Sequence, residues 1–268
     1  MYFTRIQLRG LTSINLPIVG ALPSDPYILK AADGLGPPPV DVAVSQTSIA
    51  GGVYRGSKPQ SREIVLLIGL NPAFSGGQTV ADLRSSLYGM LTPGHRPEMH
   101  VDIMQDAAII ATTTGYVAKL EIVPFSKDPQ VQLTIACPQP YLQGPTELTI
   151  DPGDPSAPEM TNIGTAPSGF QMDITLTATL SFWDLRDASG KYMRVIYPFV
   201  PGDFLSFDTR PGSRAVYLYR ASVFTNMLPY LDPLSIWYQL HAGLNVFDTS
   251  SAFFTWGDVS YRPLYWGI

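Results

Sequence analysis

Two of the chain's three histidines fall in one short segment, HRPEMHVD, which places His95, Glu98, His100 and Asp102 within eight residues. If Glu98 to Asp102 is extended, Glu98, His100 and Asp102 project from one face, and imidazole beside carboxylates suits a transition metal. The same alternation also describes a solvated strand face, and nothing in the spacing fixes ligand geometry. Asp151, Asp154 and Glu159 form a second acidic group, but their spacing does not match a calcium-binding loop, so a solvated loop is the simpler reading. Asp173, Asp184 and Asp187 could be posed as paired acids for glycoside hydrolysis. That reaction needs two carboxyls at a set separation across a cleft, and turn or surface aspartates explain them as well. Cys137 stands alone in the chain and continues the alternation of Val131, Leu133 and Ile135. It reads as a small buried hydrophobe rather than a nucleophile.

Other chemistry is absent from the pattern. No Gly-x-Ser-x-Gly elbow and no Gly-Lys-Ser/Thr occurs, and the glycines at Asp33-Gly34-Leu35-Gly36 and Gly51-Gly52 run into prolines or strand residues. The sequence therefore assigns no catalytic, cofactor-binding or metal-binding residue, and an enzyme is not expected. Aromatic residues crowd the second half: Tyr217, Tyr219, Trp237, Tyr238, Trp256, Tyr261, Tyr265 and Trp266. They could stack on sugar rings, or anchor a core and interfaces, and the second reading is the commoner use of such side chains.

Positioning these residues falls to strands. The chain has 268 residues with 25 prolines and 23 glycines, which demand many turns, and its 12 Phe, 14 Tyr and 4 Trp can fill a core. A formal charge of -5 argues against a protein that binds nucleic acid over its whole surface. The opening MYFTRIQLRG has no apolar h-region, so a signal peptide is not expected, and no apolar run is long enough to span a membrane. Period-2 alternation predicts strands at Ile64–Leu70, apolar on both faces, and at Val117–Val123 and Val131–Cys137, a hairpin turning at Lys127-Asp128-Pro129. Val80, Leu83, Leu87 and Leu91 instead recur at helical spacing, with Thr79 as N-cap, Asp82 three residues on and Pro93-Gly94 as the stop. Prolines then concentrate between Pro138 and Pro167, predicting an extended linker with one short strand at Glu147–Ile150. Beyond it, strands are expected at Ile174–Leu180, Tyr192–Tyr197, Asp203–Asp208, Arg214–Tyr219, Ile236–Leu240, Leu244–Phe247 and Asp258–Tyr265, without a helix. The fold class is mainly β: an N-terminal sandwich-like domain with one α-helix over residues 1–140, and a C-terminal β-sandwich of jelly-roll kind over 141–268 that includes the Pro-rich linker.

The order of motifs resembles the distal tail (Dit) proteins of siphophages. In the first half the cues are the strand ending Arg9-Gly10, the Gly51–Gly56 stretch, the strand at Arg62–Leu70, the helix Thr79–Leu91, and Val131–Cys137 running into Pro-Gln-Pro-Tyr-Leu. In the second they are Thr161–Gly164, Gly202–Asp208, Ile236–Leu240 leading into Ala242–Asn245, and the closing Val259–Trp266. Cys137-Pro138 departs from the Asp-Pro common at that point in the family. The resemblance implies a structural virion protein of the tail tip, made in the bacterial cytoplasm. Its N-terminal domain would form a hexameric ring and its C-terminal domain would be galectin-like. The ring would join the tail tube to the host-adhesion device and leave a lumen through which DNA passes without specific binding. Implied neighbours are the tail tube protein and the tail hub protein, with the tape measure and receptor-binding proteins as further candidates. An acidic chain is compatible with a conduit that repels phosphate. The alternative reading is a carbohydrate-binding module that contacts host cell-wall glycans through exposed aromatics.

Overall fold

Alternating apolar residues become antiparallel strands in both halves of the protein. The structure, a computed structural model, describes residues 3–10, 13–18, 25–46, 52–73, 77–92, 98–122 and 129–268. It divides into two units, Met1–Pro145 with Tyr265–Ile268, and Thr146–Leu264. Each has its own apolar core, and the described residues contain one α-helix.

The first unit contains β1 (Arg5–Arg9), β2 (Ser13–Pro17), β3 (Tyr27–Asp33), β4 (Val40–Gln46), β5 (Gly52–Pro59), β6 (Arg62–Leu70), α1 (Val80–Met90), β7 (Met99–Gln105), β8 (Ala108–Ile122), β9 (Gln130–Cys137) and β10 (Leu142–Gln143). Seven strands run in the order β2-β1-β7-β8-β9-β6-β3, β10 lies beside β8, and β4 and β5 form a separate two-stranded ribbon. The long β8 serves two partners. Its first part, to Gly115, pairs with β7, and from Tyr116 it pairs with β9. A Cβ on Gly115 would sit 2.6 Å from Ile135 Cγ2 and 2.8 Å from Cys137 Sγ, so only glycine fits where the strand changes partners. The expected helix forms, and its capping box is complete: Thr79 Oγ1 accepts from the Asp82 amide, and the Asp82 carboxylate accepts from the Thr79 amide. Leu83 and Leu87 are buried. In β6, Ile64, Leu66 and Ile68 are wholly buried while Val65 and Leu67 are half-buried, so one face meets the core more tightly than two-sided burial implied. Pro93, Gly94, Lys127 and Asp128 lie outside the described residues.

β6 opens on Arg62, which is 2% exposed and, among the described residues, pairs with no carboxylate. Its guanidinium donates instead to four carbonyls: Nη1 to Gly34 (2.5 Å) and Gly36 (2.6 Å), Nε to Pro140 (3.1 Å) and Nη2 to Trp266 (2.6 Å). The Trp266 ring packs edge-on against Tyr141 at 5.0 Å, and the Ile268 amide donates to Leu35 O at 3.2 Å. A Cβ on Gly267 would fall 2.6 Å from the Gly36 carbonyl carbon, so this strand of chain passes too close for any side chain.

The second unit contains β11 (Leu148–Ile150), β12 (Glu159–Asn162), β13 (Phe170–Leu176), β14 (Leu180–Asp187), β15 (Tyr192–Phe199), β16 (Phe204–Asp208), β17 (Ala215–Arg220), β18 (Val223–Asn226), β19 (Gly243–Thr249) and β20 (Phe254–Tyr261), with a 3-10 turn at Leu228–Tyr230. Two antiparallel sheets, β11-β20-β13-β16-β17-β18 and β12-β19-β14-β15, enclose the core. Phe170, Met172, Ile174 and Leu176 supply it from one face of β13, and Trp183 packs against Phe207 (5.0 Å) and Phe254 (5.7 Å). Three expectations need correction. Ile174–Leu180 is two strands in different sheets: the chain changes layer at Thr177–Thr179, and alternation does not register that change. Ile236–Leu240 is not a strand, because the Ile236 amide bonds Tyr192 O and the Leu240 amide bonds Ser168 O, two separate partners. The Pro-rich stretch also holds β12, whose four residues lack proline and can therefore donate to β19.

Replacing Arg62 by Met fills a similar volume but leaves four carbonyls without their donor. We expect a loss of about 3–5 kcal/mol in urea denaturation of the full chain, with faster amide exchange at Ile268 as the local sign. An unchanged midpoint would show that water replaces the guanidinium at no cost.

Candidate functional site

The residues with chemical potential are scattered, and most are engaged as structural groups. His95 lies outside the described residues, Glu98 is exposed ahead of β7, and His100 is exposed on β7 with its Nδ1 3.4 Å from Thr114 Oγ1. Asp102 shares the His100 face but is wholly buried. Its carboxylate is held by the Arg9 guanidinium from β1, including Nη2 to Oδ1 at 2.9 Å, and by Thr112 Oγ1 from β8 at 2.7 Å. Three strands thus meet on one carboxylate, which raises the Arg9 pKa chiefly through the hydrogen bond. On β7 the Asp102 position is accounted for by a cross-strand ion pair. Among the described residues no three His, Cys, Asp or Glu side chains gather in metal-binding geometry.

The other acids behave similarly. Asp151 and Asp154 accept from the backbone amides of Gly153 (3.0 Å) and Ser156 (2.8 Å), closing tight loops, and Glu159 is exposed at the start of β12. Asp173 is half-buried on β13. Asp184 is completely buried and accepts from Arg186, from Arg194 and from the Ser250 amide (3.0 Å). Burial alone would push this carboxyl up, but the hydrogen bonds of the two guanidiniums and the amide outweigh it and hold it below the usual range. Asp187 braces the turn that ends at Lys191. Cys137 is buried, and burial pushes its thiol up to about 11, so it carries little thiolate at neutral pH. Of the aromatics, Tyr238 and Tyr261 belong to the core of the second unit, Trp237 and Trp256 are half-buried, and Tyr217 and Tyr219 are exposed on β17. Tyr265 and Trp266 belong to the first unit.

What the sequence reading passed over is a surface. The β4–β5 ribbon of the first unit exposes Val40, Val42, Val44, Val53 and Tyr54, with Val42 and Val44 at 58% and Tyr54 at 62%. Val40, Val42 and Val44 alternate onto one side, and Tyr54 pairs with Val44. Both edges of the ribbon are unpaired among the described residues. A lone two-stranded ribbon is marginally stable in water, and open edges invite another chain. The alternation in VDVAVSQ was the available signal, and the sequence reading did not take it up.

Comparison with known proteins places these features. Residues 163–265 match the family described as siphovirus-type tail component, C-terminal domain. The crystal structure of SPP1 Dit (gp 19.1), described as a paradigm of the hub adsorption apparatus in phages infecting Gram-positive bacteria, aligns with 97% of this chain and 98% of its own. The identity is 16% and the TM-score 0.64, a shared fold over both units. Chains from the phage p2 baseplate, in its activated conformation with Sr or with Ca, align at 8% identity and a TM-score of 0.41. No curated protein matches the sequence.

The Asp184 cluster sets an acid limit on the second unit. A carboxyl with a depressed folded-state pKa contributes stability above its unfolded value of about 3.9, and that contribution disappears as pH falls through the folded value. Asp184→Asn is expected to cost about 2–4 kcal/mol at pH 7. In urea titrations the gap to the parent protein should narrow towards pH 3. A gap that stays constant with pH would mean the loss is one of packing.

Proposed function

We propose, from a C-terminal unit that belongs to the siphovirus-type tail component family and a whole-chain fold shared with SPP1 Dit, that this protein forms the hexameric ring of a siphophage tail tip. The protein is a structural component of the phage tail tip and not an enzyme. The finer reading is that residues 1–140 make the ring, residues 141–268 project from it, and the ring joins the tail tube protein to the tail hub and adhesion proteins around a DNA channel.

The observation that carries this reading is the β4–β5 ribbon. Its exposed valines and open edges are what a subunit presents when a neighbour completes it. A ring is a head-to-tail arrangement, so each protomer needs two different contact surfaces, and the ribbon supplies one of them. The low charge content, 15%, fits a surface much of which is covered on assembly. Net negative charge is compatible with a channel that lets DNA slide rather than stick.

Light scattering and negative-stain imaging test the proposal together. The full chain should give six-fold rings. Val42→Lys with Val44→Lys, which places two ammonium groups on the ribbon's apolar side, should give monomers of unchanged thermal stability. A parent protein that stays monomeric at every concentration, or a ring whose lumen is walled by arginine, would overturn it.

A further inference from the structure

The second unit has an open cleft of about 450 Å³ whose rims are two side-chain-braced turns. On one side, Asp187 Oδ1 accepts from the Ser189 amide (2.8 Å), Ser189 Oγ (2.6 Å) and the Lys191 amide (3.1 Å). On the other, Asn245 Oδ1 accepts from the His241 amide (2.8 Å), while Nδ2 donates to the carbonyls of His241 (2.8 Å) and Gly243 (3.0 Å). The buried Tyr238 hydroxyl accepts from the Asp187 amide (3.0 Å) and donates to Lys191 O (2.5 Å). Both rims are therefore fixed before any ligand arrives, and little ordering cost remains.

The groups left over have a definite character. Asp187 Oδ2, the Lys191 ammonium, the Gln239 amide and the His241 imidazole make no hydrogen bond among the described residues and line the cleft. Trp237 lines it as well, half-buried. Arg214 stands 5.7 Å over the indole and is not a lining residue, so it steadies the ring without filling the cleft. A lining that combines an indole, a carboxylate acceptor, an amide that both donates and accepts, and further nitrogen groups complements a pyranose. Its C–H face stacks on the ring and its hydroxyls need donors and acceptors together. The opposite charges of Asp187 and Lys191 leave the site near neutrality, which matches an uncharged sugar better than a phosphate or an acid.

We propose that this cleft binds a neutral hexose or N-acetylhexosamine unit of a surface glycan. Binding is independent of ring formation, since every residue invoked lies in Thr146–Leu264. The probes are glucose, galactose, N-acetylglucosamine and N-acetylgalactosamine, examined with the full-length protein by saturation-transfer NMR and by tryptophan fluorescence. At least one should bind, with a dissociation constant of about 1 mM, as one stacked ring with a few hydrogen bonds gives. Trp237→Ala should abolish the transfer signal. Gln239→Ala, which removes a half-buried amide and leaves the indole, should weaken binding about 10-fold, roughly the worth of one hydrogen bond. Tyr219→Ser, on an exposed face outside the cleft, should bind as the parent does. The Val42→Lys, Val44→Lys protein should retain sugar binding whether or not rings form, so failure of the ring and failure of the cleft read separately. Absence of transfer from all four sugars overturns the proposal. So does binding that survives both Trp237→Ala and Gln239→Ala.

Discussion

The first unit is organised around one cation. Arg62 sits at the start of β6, buried, and finds its counter-dipoles in the carbonyls of Gly34, Gly36, Pro140 and Trp266. These come from three stretches of chain remote in sequence. Burial draws the guanidinium's pKa down, but an arginine stays protonated in such a setting, so all four bonds are charge-assisted. The close passage of Gly267 against Gly36 and the positive φ at Gly34 (81°) follow from bringing carbonyls to a single point. An isolated guanidinium in an apolar core would be intolerable. Here the carbonyls of the loops it gathers are what make its burial tolerable.

The second unit solves the same problem with carboxylates. Asp184 and Asp203, both buried, gather arginines: Arg186 from the same strand and Arg194 from β15 on the first, Arg220 from β17 on the second. With Asp102 and Arg9 in the first unit, the described residues include three buried acids, each paired with arginine. Arginine's planar fork suits this role because one side chain can hold two oxygens or two strands at once. Against the upward push of burial, the arginines hold the Asp184 and Asp203 carboxyls below their usual range. Their electrostatic potential is spent on holding sheets in register. That is consistent with a protein whose task is mechanical.

Much of this architecture was legible in the sequence because its signals are local. The Thr79–Asp82 capping box and the leucines behind it specify α1 within one turn. Val131, Leu133, Ile135 and Cys137 state a buried strand face directly. The readings that went astray concern partners distant in sequence. The alternation from Ile174 to Leu180 is continuous although the chain changes sheets there, because both sheets face the same core and ask for the same pattern. Asp102 could be posed as a ligand or as part of a solvated face, and nothing within ten residues reveals Arg9, 93 positions away. Exposure of the β4–β5 ribbon was hidden for a related reason. An apolar alternation says that a face will be covered, but not whether this chain or another one covers it. The cleft of the second unit was visible only as an excess of aromatics, since much of its polar lining comes from two turns that the fold brings together.

The division of the chain has a bearing on biosynthesis. The second unit is spliced into the first between Pro145 and Tyr265, so the last carbonyl that Arg62 requires, that of Trp266, is translated only after some 120 residues of intervening sandwich. A nascent chain can pair β1 to β10 early, yet its central cation waits for its fourth acceptor until the second unit has left the ribosome. Chains that stall or are clipped inside the second unit would retain the exposed ribbon while lacking a finished core. The threading of the polypeptide thereby doubles as a check on completeness.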